Sequence, residues 1–319
     1  MRVQGILIVI VVAAVVACAP EAPTPADTET ANRTATIGSV EVTNEPLAYV
    51  VERLAGPLVE IRFRAADAPD PAYWKPTTDD VLAMQEADLI VLNGASYERW
   101  LKDVSLPASR LVDTTAAVRD RLIAVAEGVT HSHGPEGEHE HTGTAFTTWL
   151  DPTMLVEQAR AVEGALAARW PEHGGLFAER FEALAADLAE LDAELEAATA
   201  PAADQNLVFS HPVYQYLQRR YGLTGDSVHF EPDVMPDAEQ WAGLDHLLEH
   251  GGADWMIWEA EPTAEIRDAL AERGLGVIVV APCATPPASG DFLGVIRANA
   301  EALRSALHRR VVVNHDWHD

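Results

Sequence analysis

The sequence predicts an α/β protein of two lobes, each built on a mostly parallel sheet, joined by one long connector helix. Three observations predict it. Short apolar runs alternate with amphipathic helical segments from about residue 35 onward. The alternation occurs twice in the same style, before residue 170 and after residue 200. Between the two, residues 171–200 keep helical spacing with no breaker. The chain has 319 residues and is 48% hydrophobic, enough to bury two cores of this kind.

The N-terminus MRVQGILIVIVVAAVVACAP carries basic Arg2 and an apolar run from Ile6 to Ala17. That run is shorter than the roughly 20 residues of a membrane span, so residues 1–17 are expected to be a secretory signal peptide. Val15-Val16-Ala17-Cys18 resembles a bacterial lipobox, after which Cys18 would be the lipidated first residue. An ordinary signal peptide or an uncleaved anchor is the alternative. Residues 18–34 have almost no apolar bulk and read as a flexible tether.

The N-terminal lobe is expected over residues 35–170. TIGSVEV (36–42) reads as a strand, and EPLAYVVERLAG (45–56) as an amphipathic helix whose Gly56 suits a C-terminus. VEIRFRA (59–65) is the next strand. TTDDVLAMQEA (77–87) opens with hydroxyl and acidic residues that suit an N-cap and first turn, and DLIVLNG (88–94) reads as a buried strand. In 171–200, Phe177, Phe181, Leu184, Leu188, Leu191 and Leu195 share one face. A helix from about 176 to 199 would be roughly 36 Å long, enough to cross between lobes and to hold them with little relative movement. The C-terminal lobe, 201–319, repeats the style. Strands are expected at NLVFS (206–210), DSVHFEP (226–232), WMIWE (255–259) and LGVIVVA (275–281). Helices are expected at 212–222, 237–251, 263–274 and 291–310.

A formal charge of −28 repels nucleic acid and anionic membrane surfaces and concentrates cations. The two cysteines, Cys18 and Cys283, cannot build a disulfide framework if Cys18 is lipidated. No oligomer signal is visible, and a monomer is expected. No nucleophile elbow, phosphate loop or HExxH occurs, so an enzyme is not expected. HSHGPEGEHEH (131–141) holds four of the twelve histidines: His131, His133, His139 and His141. With two glycines, a proline, three acids and no apolar periodicity, the segment reads as an exposed, mobile loop. It could bind zinc only loosely, because ordering a chain costs about 1–2 kcal/mol per residue.

Several segments in order carry a resemblance: DPAYWKPTTDDVLAMQEADLIVLNGASYERWL (70–101), TTWLDP (147–152), the connector, FSHPVYQYLQRRYGL (209–223) and WMIWEAEP (255–262). Together they resemble the zinc and manganese substrate-binding lipoproteins of ABC transporters, from about residue 35 to 308. The His-rich segment just ahead of WLDP is similar to that of the zinc-type branch. The resemblance implies two lobes on one long helix with a metal in the cleft between them, zinc before manganese. It further implies a membrane permease as partner and a periplasmic or cell-surface, lipid-anchored location. The four ligand positions it implies fall on Ala72, Thr147, His211 and Ala281, of which His211 alone keeps a ligand side chain. Lys75 stands where the family usually carries an acid. Structural zinc sites take four protein ligands and catalytic ones three, so the site is expected to be altered or partly lost, with the loop histidines as recruits.

His211 is open between a ligand and a helix-start hydrogen bond, and Glu259 between a cleft acid and a solvated one. Cys283 is open between a soft ligand and a tolerated small residue, the latter favoured. His246 and His250, four apart, read as surface residues near a helix C-terminus. His315 and His318 give the tail little metal affinity. Two functions stay in view: a zinc carrier for an ABC importer, or a module binding a metal chelate or a non-metal ligand. Tyr73, Trp74, Trp149 and Trp258 near the expected cleft suit the second, although core packing accounts for most of them.

Overall fold

The computed structural model of the chain describes residues 36–125, 130–132, 138–140, 143–203 and 205–313. The expected signal peptide, Cys18 and the expected tether, with His133, His141, His315 and His318, lie outside the described residues. Residues from Thr36 onward form one compact unit holding two four-stranded sheets. Among the described residues no helix is long and apolar enough to cross a membrane.

The first sheet contains β1 (Gly38–Val42), β2 (Val59–Arg62), β3 (Leu89–Leu92) and β4 (Leu111–Asp113) in the order β2-β1-β3-β4, all parallel. β3 lies inside the sheet and is buried throughout, as its LIVL run requires of a strand covered on both faces. The second sheet contains β9 (Asn206–Phe209), β10 (Thr224–Ser227), β11 (Trp255–Trp258) and β12 (Gly276–Val279), order β10-β9-β11-β12 and also all parallel. Both sheets reverse direction of growth beside their first strand. Such switch points open a crevice beyond the carboxyl ends of the strands.

The helices start where the sequence supplies caps. Asn44 accepts from the Leu47 amide at the head of α1 (Glu45–Ala55). Thr77 and Asp80 form a reciprocal capping box on α2 (Thr78–Glu86), leaving two fewer orphan amides in the first turn. The connector is one helix, but it is not a bare strut. Here α3 (Pro152–Arg169) and α4 (Gly174–Thr199) pack along each other, and α4 also touches α1 and α8 (Phe292–Val313). The α4 side chains Phe177, Phe181, Leu184, Leu188, Leu191, Leu195 and Ala198 are all buried. Their alternating spacing of four and three is the seam of a packed helix. They join Val40 and Val91 of one sheet to Phe209 and Ile257 of the other in a single apolar core. Helices α5 (Gln215–Tyr221), α6 (Ala238–Gly251) and α7 (Ala264–Glu272) complete the second lobe.

Three features differ from the sequence expectation. The 18-residue α3 was not anticipated, although Asp151 caps it and Pro152 opens it. The strand expected at 226–232 lies earlier, at β10, where Gly225 lets the backbone approach β9 closely. A Cβ there would stand 1.8 Å from the Leu207 carbonyl oxygen. Two stretches in and beside the His-rich segment pair as strands of a ribbon. β6 (Thr130–Ser132) and β7 (Glu138–Glu140) pair antiparallel with His131 opposite His139, beyond the base pair β5 (Ala124–Val125) and β8 (Gly143–Thr144).

Candidate metal-binding cleft

A cleft of about 770 Å³ opens beyond the carboxyl ends of both sheets. From the second sheet, β9 runs into Ser210 and His211, and β11 into Glu259. Phe209 pairs with Ile257 in the ladder, and the Ser210 amide donates to the Ile257 carbonyl at 2.9 Å. Two residues further on each strand, His211 and Glu259 therefore leave the sheet side by side. The His211 Nδ1 lies 3.8 Å from the Glu259 Oε1, with the imidazole 6% exposed and the carboxylate 22%. The His229 ring stands edge-on to His211 with centroids 5.7 Å apart. Glu231 and Asp233 line the same cleft. The sequence reading placed His229 and Glu231 on a strand over 226–232 and overlooked all three residues. Their alternation at every second position was the available signal.

The first lobe supplies a mostly apolar wall of Tyr73, Tyr97, Phe146 and Trp149, with Asp70 at its edge. The loop after β3 that presents Tyr97 is tightly turned. Gly94, Ala95 and Ser96 all have positive φ, of 76°, 50° and 66°, a conformation that costs non-glycine residues energy and recurs at functional sites. Glu98 holds this turn from beneath. Its Oε1 accepts from the Asn93 amide at 2.6 Å and the Thr43 hydroxyl at 2.7 Å, and its Oε2 from the Gly94 amide at 3.1 Å. Burial raises the Glu98 carboxyl to about 7 against the pull of those donors. Tyr97 packs edge-on against Phe146 and Trp149.

Bonds across the cleft tie the lobes. Trp149 Nε1 donates to the Pro282 carbonyl at 2.8 Å, and the Glu45 amide to the Ala284 carbonyl at 3.0 Å. The Thr147 hydroxyl donates to the Val213 carbonyl, so this side chain is used in bracing the walls. Of the four positions implied by the resemblance, Thr147, His211 and Ala281 line the cleft. Ala72 does not. Asp70 and Tyr73 line the cleft beside it, but its methyl is wholly buried in the core. In this short turn the Asp70 side chain accepts from the Ala72 amide, which fixes the backbone. Lys75 is exposed and outside the lining. Cys283 lines the cleft with φ 57°, and burial, followed by the Glu45 and Asp291 carboxylates, pushes its thiol up to about 12. It is a neutral thiol, not a ready thiolate ligand.

Trp74 and Trp258 pack in cores instead, and Tyr73 and Trp149 reach the cleft. His246 and His250 are exposed on α6 with stacked rings 4.3 Å apart. The ribbon bearing His131 and His139 rises from the cleft rim, because Val125 and Thr144 of its base line the cleft. Among the described residues, no group of three or more His, Cys, Asp or Glu side chains is arranged to hold a metal ion.

Residues 40–306 match the sequence model of the family described as zinc-uptake complex component A, periplasmic. The zinc-binding protein AdcA of Streptococcus pyogenes is 28% identical over 258 residues, 74% of this chain and 49% of that protein. The chain thus spans about half the length of the curated relative it matches. Two solved structures share the fold at TM-score 0.70. The metal-dependent lipoprotein YcdH of Bacillus subtilis is 17% identical and covers 84% of this chain and 98% of its own. Zn(II)-bound AdcA of Streptococcus pneumoniae is 19% identical and covers 85% and 57%.

Proposed function

We propose, from the premise that this chain belongs to the zinc-uptake complex component A family, that it is an extracytoplasmic carrier that captures zinc and delivers it to the membrane permease of an ABC importer. It performs no catalysis, and a lipid on Cys18 tethers it to the membrane. Zinc is its cargo, and the cleft is where the cargo sits.

The observation that carries this reading is the His211–Glu259 pair at the switch point of the second sheet. An imidazole and a carboxylate on adjacent strand ends form half of a zinc coordination set. Positions 72, 147 and 281 supply no more, so the remaining ligands come from elsewhere. The His-rich ribbon is the nearest source by topology, since its base forms part of the cleft rim. His131 and His139 stand opposite each other in the ladder, and His133 and His141 follow in the same stretch of sequence. The charge of −28 raises the local concentration of divalent cations around the carrier.

Calorimetric zinc titration tests it. His211→Ala should weaken zinc binding by roughly 10- to 100-fold. Deleting 131–141 should do the same, and the two losses should be less than additive if they act on one ion. Unchanged affinity in both variants refutes the zinc-carrier reading.

A further inference from the structure

A second pair of imidazoles stands outside the cleft. His246 and His250 lie one turn apart on α6, and both are exposed. Side chains four positions apart on a helix meet on one face. Here the two rings stack, with centroids 4.3 Å apart and planes inclined by 28°. The Nδ1 of His250 lies 2.9 Å from the His246 carbonyl oxygen. A carbonyl oxygen can only accept, so this nitrogen carries a hydrogen. In the neutral ring the lone pair is then on Nε2, the nitrogen left for a metal ion. A hydrogen bond from the other ring nitrogen to a backbone carbonyl is the usual way in which a metal-binding histidine is oriented.

The pair sits on a rigid support. Asp237 and Gln240 close a capping box at the start of α6, and Leu244 is wholly buried beneath it. The Asn206 Nδ2 donates to the Gly251 carbonyl at 2.8 Å, which ties the last turn of the helix to the first residue of β9. That bond also locates the pair. It lies at the amino edge of the second sheet, whereas the cleft opens beyond the carboxyl edge. Asp245 is engaged by Arg273 at 2.8 Å, so the two imidazoles are the groups on offer. Glu249 is exposed beside His250 and adds negative charge that attracts a cation.

We propose that His246 and His250 form a second metal site, on the outer end of the second lobe, which takes a divalent late transition ion such as zinc or copper through the two Nε2 atoms. Two nitrogens of one tetrahedral zinc stand about 3.3 Å apart at the usual Zn–N distance. Stacked rings reach that spacing by turning about χ2, a soft torsion in histidine. With two protein ligands instead of the three or four of a closed site, the ion keeps water in its other positions and exchanges readily with solvent. The site does not depend on the zinc-carrier reading, and it draws on none of the cleft or ribbon residues.

Hydrogen-exchange mass spectrometry of the full chain, with and without zinc chloride, reads the site locally. An ion that bridges two turns should slow amide exchange within 238–251. His246→Ala or His250→Ala should each abolish the slowing. Each leaves a single imidazole, and losing even a group that merely supports a ligand weakens metal binding about 10- to 100-fold. Both positions are exposed, and alanine is the best helix former, so the variants keep the fold. His211→Ala should leave the slowing in 238–251 intact. In calorimetric titration with copper(II), which imidazoles hold more tightly than zinc, the wild type should bind one more ion than the chain carrying both His246→Ala and His250→Ala. Zinc that leaves exchange in 238–251 unchanged overturns the inference, and so does an equal copper count in the two proteins. Slowing that persists in either single variant, or that disappears in His211→Ala, overturns it as well, because the effect would then arise elsewhere.

Discussion

Glu98 gives the fold a pH dependence that can be read directly. The carboxyl is buried beneath the turn that presents Tyr97 and titrates near 7 in the folded chain, against 4.5 when exposed. Between these values the folded state binds a proton that the unfolded state has released. Lowering the pH through this window therefore stabilises the fold, and raising it through 7 removes the gain. At about 1.4 kcal/mol for each tenfold change in proton affinity, the group contributes about 3 kcal/mol between pH 8 and pH 5. Glu98→Gln cannot titrate and should flatten the difference by that amount. Glu45, raised to about 7 by burial and then by Asp291, acts in the same window but is common to both proteins and cancels. Urea unfolding at pH 5 and pH 8, for wild type and variant, measures it. An equal pH difference in the two proteins would refute the account of Glu98 as a carboxyl destabilised by burial.

Leu188 is wholly buried at the middle of α4, where both halves of the core meet, so Leu188→Ala should cost about 2–5 kcal/mol. Denaturant unfolding should show a lowered midpoint, and a loss below 1 kcal/mol would mean that α4 is not the spine of the core. Replacing His131, His133, His139 and His141 together by serine should leave the metal-free melting temperature within a few degrees, since the sequence of 131–141 has no apolar periodicity with which to join a core. A larger fall in differential scanning calorimetry would give the ribbon a structural role.

Much of the architecture was written locally. The apolar runs at 38–42, 89–92, 206–209 and 255–258 became strands because a strand covered on both faces needs continuous apolar residues. Thr77, Asp237 and Thr263 cap helices where short-range hydrogen bonding alone favours them. The heptad-like seam from Phe177 to Leu195 specified one unbroken α4, and the segment order specified the family. Two local signals were present and passed over: the Asp151-Pro152 start of α3, and the alternation of His229, Glu231 and Asp233.

The site was decided by tertiary structure. Nothing in the spacing of His211 and Glu259, 48 positions apart, places them together. The parallel register of β9 with β11 does, because equal steps from a paired Phe209 and Ile257 arrive at neighbouring strand ends. The family resemblance likewise implied that Ala72 would face the cleft, but a turn of three residues points adjacent side chains in different directions, and this one points into the core. The bracing of Thr147 against Val213 joins residues 66 apart, and Tyr97 is packed by Phe146 and Trp149, 49 and 52 positions further on. Local sequence sets which elements form and how they begin, since caps and periodicity act over a few residues. Which side chains share a cavity depends on sheet register and on how α4 seats two sheets in one core, and those are properties of the assembled chain.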